Sequence, residues 1–223
     1  MFISKGLLTG LLLGSLSLGA NALVMQTLEQ SPLDGGDGNS SSGSFGTQVA
    51  DNFQFANDVT LNNISWWGSY YPDVPATEEF TVRVFTDNGA GLPQPSALFT
   101  TNFAANGDDS DGLGDYYGAE VFRYDVAVAW ALSGGQNYYL SVFNNDDTND
   151  WFWLESAAGG NIGWSRVADG DIWDEDNPAF NMSFRLTTEP VFTGSVPEPS
   201  PLFLFALFSL YLLRARVRGG TFG

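Results

Sequence analysis

The chain contains no cysteine and no histidine, and its one lysine, Lys5, stands near the amino terminus. Without cysteine there are no disulfide staples, thiol nucleophiles or thiolate-held metals. Without histidine, the residue most often used as a general base near neutral pH is missing, together with the commonest metal-binding ring. Neither a Ser-His-Asp nor a Cys-His set can be assembled. Beyond Lys5 there is no lysine to complete a phosphate-binding Gly-rich loop. Basic charge of any kind is scarce. Arg214, Arg216 and Arg218 crowd the carboxyl end, which leaves Arg83, Arg123, Arg166 and Arg185 for the body of the chain. All but one of the 26 acidic residues lie in that body, the exception being Glu198. Such a surface repels nucleic-acid phosphates and anionic headgroups, so no nucleic-acid partner is expected.

What is present falls into zones. Residues 1–22 read as a secretory signal with an expected helix: Lys5 is the positive start, residues 6–18 are the apolar stretch, and Ala20 and Ala22 supply the small-x-small cleavage pattern. Residues 23–48 include SPLDGGDGNSSSGSFG. This Gly/Ser/Asp composition is that of a flexible leader that buries little apolar surface. Residues 49–189 read as the folded domain, 190–195 as a linker and 196–218 as a separate terminal signal.

Within the domain the hydrophobic period is two. FTVRVFT at 80–86, VFRYDVAV at 121–128, YLSVF at 139–143 and, more loosely, FNMSFRLT at 180–187 alternate apolar with polar residues. Each is rich in β-branched and aromatic side chains and bounded by turn formers. Further strands are expected at 51–55, 59–67, 97–102 and 151–155. About eight short strands, with no sustained helical stripe in the domain, predict an all-β, antiparallel β-sandwich. The expected form is a jelly roll in which each sheet buries one face and wets the other.

The carboxyl end has three parts in fixed order: Val196-Pro197-Glu198-Pro199-Ser200, an apolar run over 202–213, then Arg214, Arg216 and Arg218. As a short transmembrane helix this twelve-residue run would measure about 18 Å at about 1.5 Å per residue, well short of a hydrocarbon core of about 30 Å. The arginines would remain on the cytoplasmic side. The tail therefore has the physical character of a temporary hold in the membrane, by the same logic as a removable GPI signal. These residues resemble the PEP-CTERM sorting signal, although five residues follow the arginines where such tails usually stop sooner. The resemblance implies recognition by an exosortase, a membrane protease-transpeptidase, in a bacterium that makes exopolysaccharide. It also implies a transient inner-membrane anchor followed by release to the cell surface or extracellular matrix. The body is similar to a β-sandwich module found in such exported proteins, on ADNF at 50–53, ISWWG at 64–68, FTVRVF at 80–85, residues 87–93, YYLS at 138–141 and WFW at 151–153. That likeness implies no activity.

Three constellations bear on function. Flat aromatic rings beside Asp and Asn suit sugars; Trp67, Tyr70, Tyr71, Trp164 and Trp173 are the candidates, in competition with ordinary burial. Trp66 and Trp67 are adjacent and must point to opposite faces of a strand, whereas Trp151 and Trp153 share one. Acidic loops offer the oxygen ligands of a structural calcium ion: Asp108, Asp109, Asp111 and Asp115 in one, Asp146, Asp147 and Asp150 in another, with a third acidic stretch at 169–176. The first nearly fits an EF-hand frame, but Leu113 occupies a ligand position and the flanks read as strands. Finally, Glu120, Asp125 and Glu155 lie in or beside strands, where a carboxylate pair would serve a glycan hydrolase. The reading that follows is a non-catalytic exported matrix protein, with a carbohydrate-binding module and a carboxylate-dependent hydrolase as alternatives.

Overall fold

A computed structural model describes residues 19–157, 163–175, 180–189 and 191–197. Fifteen strands occur among them and no helix. They are β1 (Gly19–Val24), β2 (Thr27–Gln30), β3 (Gly38–Ser40), β4 (Gln48–Phe53), β5 (Val59–Tyr71), β6 (Glu78–Thr86), β7 (Phe99–Ala105), β8 (Asp108–Gly114), β9 (Glu120–Leu132), β10 (Tyr138–Asn144), β11 (Asp150–Leu154), β12 (Gly163–Arg166), β13 (Asp174–Glu175), β14 (Phe184–Thr188) and β15 (Val191–Pro197). The expected signal helix and the apolar run at 202–213 lie outside the described residues. No helix among the described residues is long and apolar enough to cross a membrane.

The main unit comprises residues 25–191 and is built of two antiparallel sheets, the arrangement of a β-sandwich. One sheet runs β13-β12-β4-β10-β6-β7. The other centres on β5, whose thirteen residues are long enough to take two partners end to end along one edge. β14 pairs with it from Leu61 to Trp66 and β11 from Gly68 to Tyr71. β9 fills the opposite edge, and β2, β3 and β8 extend β14, β11 and β9 outward. Eight strands pair in a nested series, first with last: β2 with β14, β4 with β10, β5 with β9, and β6 with β7.

The eight expected strands have counterparts in β4, β5, β6, β7, β9, β10, β11 and β14, although the one expected over 180–187 begins only at Phe184 and the one expected over 97–102 only at Phe99. The alternation places Phe80, Val82, Val84, Tyr124, Val126, Leu140, Val142, Phe184 and Leu186 in one buried core between the sheets. Trp66 lies at its centre. It stacks on Tyr124 at 5.5 Å between centroids and meets Phe80 edge-on at 5.4 Å. Gly68 interrupts the apolar run of β5 for a steric reason. A Cβ there would stand 2.4 Å from the Trp151 ring, so only glycine admits that indole.

The sheets are also tied by a buried carboxylate. Asp51 of β4 accepts hydrogen bonds from the backbone N–H groups of Asn52 and Met182, both at 2.7 Å. Met182 lies two residues before β14 of the opposite sheet. A second buried acid, Glu78, accepts from the Tyr124 hydroxyl and from the Gly107 N–H.

The expected flexible leader at 23–48 is corrected: most of it belongs to the fold. β2 and β3 pair within the second sheet, and Ser41 and Ser42 are wholly buried. The Ser41 hydroxyl donates to the Val142 carbonyl and accepts from the Val49 N–H. The composition lacks apolar surface, but this segment is held by hydrogen bonds rather than by burial of hydrophobes. A second unit comprises residues 1–24 and 192–223; within it β1 pairs with β15. Residues 191–195, expected as linker, therefore run as strand. Ala20 and Ala22 lie in β1 and Val196 and Pro197 in β15, whereas Glu198, Pro199, Ser200, Arg214, Arg216 and Arg218 lie outside the described residues.

Candidate functional site

The outer face of the β5 sheet carries a groove of about 420 Å³ lined by Asp37, Gly38, Tyr71, Asp115, Tyr117, Ala119 and Phe152. Its parts come from four distant stretches of chain. Tyr71 ends β5 opposite Asp150, and Phe152 of β11 lies opposite Ser69. Both therefore point away from the core, since directly opposed residues share a face. Gly38 of β3 keeps the floor open: a Cβ there would stand 2.8 Å from the Phe152 Cβ. Tyr71 is 64% exposed and Tyr117 84% exposed, so two phenol rings open to solvent beside the cleft, that of Tyr117 set edge-on to Tyr116 at 5.2 Å between centroids. Phe45 flanks Phe152 on another side, with centroids 6.0 Å apart.

The turn that presents Tyr117 is built around Asp115. One carboxylate oxygen accepts from the N–H groups of Tyr117 and Ala119 at 2.9 and 2.8 Å, and the other accepts from the Ser69 hydroxyl at 2.8 Å. Gly118 takes a left-handed conformation at φ 80° to close the turn. The Tyr116 N–H donates to the Gly36 carbonyl at 2.8 Å and fastens the turn to the segment before β3. This Asx-type turn displays its aromatic side chains on a rigid base.

No basic residue lines the groove among the described residues. Each arginine of the body is paired elsewhere: Arg83 and Arg166 with Asp169, Arg123 with Asp125, and Arg185 with Glu29. The Asp37 carboxylate accepts from the Gly38 N–H and has no cation beside it among the groove residues.

Of the five aromatic residues expected to meet sugars, Tyr71 alone lies in this groove. Trp67 is turned away from the core, as the alternation requires, but is buried beneath Val121, Leu154 and Leu113. Tyr70 is buried, and its hydroxyl accepts from the Asn144 amide. Trp164 and Trp173 pack with Ala50, Phe85 and Tyr139 in a satellite cluster on the outer face of the other sheet. There the Arg166 guanidinium lies 4.5 Å from the Trp173 ring and 5.2 Å from the Phe85 ring. Those four readings are corrected, because burial claims the rings for packing: Tyr70 in the main core, Trp67 among residues of β8, β9 and β11, and Trp164 and Trp173 in the satellite cluster. Sequence reasoning missed Tyr117, Phe152 and Asp37. The adjacent pair Tyr116-Tyr117 in a Gly/Asp-rich turn was the available signal for the first of these.

The acidic loops are held by their own backbone. Asp146 accepts from the N–H groups of Thr148 and Asn149 and from the Thr148 hydroxyl. Burial alone would raise its pKa, but these bonds hold it below the usual carboxylate range. Asp150 accepts from the Ser44 hydroxyl at 2.8 Å. Asp108 pairs in register with Arg123 along the β8–β9 ladder, and the side chains of Asp109 and Asp111 lie outside what is described. Among the described residues, no three acidic groups, Asp147 included, converge into a cluster that could hold a metal ion.

The three strand carboxylates differ in setting. Glu120 is exposed at the start of β9. Burial would raise Asp125, but hydrogen bonds from Ser65, Arg123 and Asn63 carry it below its ordinary value. Burial and the charge of Asp37 carry Glu155 above its own, against a hydrogen bond from Asn39. Glu155 is the acid that a hydrolase reading would need, and it lies outside the groove lining.

No known family profile matches the chain, and no curated protein does. Among solved structures it is similar to dimeric latent PorU from Porphyromonas gingivalis, at 11% identity and a TM-score of 0.30, over 83% of this chain and 22% of that one. It is also similar to the VP2 subviral particle of infectious bursal disease virus, at 10% identity and a TM-score of 0.28, over 88% of this chain and 50% of that one. Likenesses this slight identify neither a fold nor a function.

Proposed function

We propose that this chain is a non-catalytic exported protein of the cell surface or extracellular matrix. Its PEP-CTERM-like tail delivers it to an exosortase-type enzyme, and its body is held among exopolysaccharide. The observation that carries the reading is the order of the tail: VPEPS, an apolar run too short for a comfortable permanent span, then three arginines. The body is read as a jelly roll. Support comes from the nested pairing of β2·β14, β4·β10, β5·β9 and β6·β7, a long hairpin wound into two sheets. Support for binding over chemistry comes from Asp115, whose two carboxylate oxygens are committed to holding a turn.

Cell fractionation tests the proposal. The wild-type chain is expected in the extracellular polysaccharide fraction. A chain carrying Pro197→Ala, Glu198→Ala and Pro199→Ala is expected to remain with the inner membrane, unprocessed. Equal distribution of the two chains would refute sorting by this tail.

A further inference from the structure

We propose that the groove between Tyr71, Tyr117 and Phe152 binds a short stretch of an uncharged or amino-bearing polysaccharide, with sugar rings lying on the two exposed tyrosines. The inference deepens the matrix reading above and rests on it for its biological setting, but its evidence is the groove itself. Large exposed aromatics gathered in one cleft mark an interaction site in a way that singly scattered surface residues do not. Here the fold spends specific interactions to keep them in place. Asp115 commits both oxygens to the turn that carries Tyr117, the Gly36 carbonyl fastens that turn, and Gly38 leaves the floor beside Phe152 unfilled.

The chemistry selects the ligand. A sugar ring offers an apolar C–H face and a rim of hydroxyl donors. A tyrosine offers a flat apolar face and a polar tip, and Asp37 adds a carboxylate acceptor at the edge. At about 420 Å³ the cleft falls within the range of small-ligand sites. Charge selects further. Among the described residues the groove holds carboxylates and no basic side chain, and the whole chain carries a net charge of −18. A polyanionic glycan is repelled by that field. A second copy of the chain, equally acidic, is disfavoured for the same reason.

Isothermal titration of the chain purified from its host tests this with three probes: cello-oligosaccharides (uncharged), chitosan oligosaccharides (cationic) and oligogalacturonate (anionic). At least one of the first two should bind with a Kd of about 1 mM or tighter, and oligogalacturonate at least about tenfold more weakly. Tyr71→Ala and Tyr117→Ala should each weaken binding by about tenfold. Ile172→Ala, at a residue 76% exposed and outside the groove, should leave it unchanged. Because Tyr117 is 84% exposed, its variant should melt like the wild type, which separates lost binding from lost folding. Three results would overturn the proposal: no binding to any probe, binding that survives both tyrosine substitutions, or preference for the anionic probe. Self-association that depends on the tyrosines, with no saccharide binding, would also overturn it and make the groove an interface between copies. The double variant Tyr71→Ala/Tyr117→Ala should still be processed yet leave the polysaccharide fraction. If it stays there, the groove assignment fails while the matrix reading stands.

Discussion

Replacing Trp66 with alanine should destabilise the main unit by about 3–5 kcal/mol, the usual range for deleting a buried tryptophan. Trp66 is fully buried and meets Phe80, Phe103 and Tyr124 within 6 Å between centroids. Its removal would leave a cavity bounded by rings that pack from both sheets and cannot all collapse inward. At about 2–4 °C per kcal/mol for a unit of this size, the melting temperature should fall by about 10 °C. Trp66→Phe should cost far less. The Trp66 indole N–H is buried and has no hydrogen-bond partner among the described residues, so phenylalanine removes an unsatisfied donor while keeping most of the ring area. Thermal unfolding of the two variants checks the account. Equal losses would contradict it, because they would show that the position depends on the indole itself and not on the volume it fills.

Stability should fall as pH rises from about 4 to about 7, opposite to ordinary acid denaturation. Burial lifts the Asp51 pKa from 3.8 to about 7, against the hydrogen bonds it accepts from Met182, Asn52 and Gln30. Below pH 4 the group is protonated in both folded and unfolded chains, and its contribution is fully present. Between the two values the unfolded chain releases the proton while the folded chain retains it, so stability is lost until the folded carboxyl itself ionises. A shift of this size corresponds to roughly 4 kcal/mol across the window. Asp87, Glu29, Asp125 and Asp146 are shifted the other way. Asp87 is lowered by the Tyr139 hydroxyl and Glu29 by Arg185, while Asp125 and Asp146 are lowered by hydrogen bonds that outweigh their burial. Their contributions are present above their unfolded values and are lost as pH falls through the folded ones. The two trends meet near about pH 4, where maximum stability is expected. Urea unfolding from pH 4 to pH 8 measures the slope in the wild type and in Asp51→Asn. The amide cannot accept both backbone N–H groups as the carboxylate does, so this variant starts less stable. What matters is that its slope between pH 4 and 7 should be much shallower than that of the wild type, with the remainder coming from groups such as Glu155, which is also raised. A wild-type slope shared by the variant would assign the effect to other groups.

Legibility in the sequence followed the type of force at work. Where burial of alternating apolar residues decides, as at Phe80, Val82 and Val84 or at Phe184 and Leu186, the strands were readable, and so was the opposite facing of Trp66 and Trp67. Where hydrogen bonds decide, composition misled. The segment that holds β2, β3, Ser41 and Ser42 has the Gly/Ser/Asp make-up of a linker, yet the Ser41 and Ser42 hydroxyls and much of its backbone are engaged. β8, with the sequence DDSDGLG, has little intrinsic strand preference and exists through its pairing with β9. The fate of Trp164 and Trp173 depended on which loops would cover them, which no local pattern encodes. The groove was legible only at Tyr71, because its other walls come from residues 37, 115–119 and 152, which the topology alone brings together.

The central claim is that both ends of the chain are removable addresses and the β-sandwich between them is what works outside the cell. Intact-mass analysis with terminal sequencing of the protein recovered from its native host tests this most directly. The account predicts a chain that begins at Leu23, after the Ala20-Asn21-Ala22 pattern, and ends within residues 197–199. A mature chain that retains Lys5, or that still carries Arg214, Arg216 and Arg218, would contradict it.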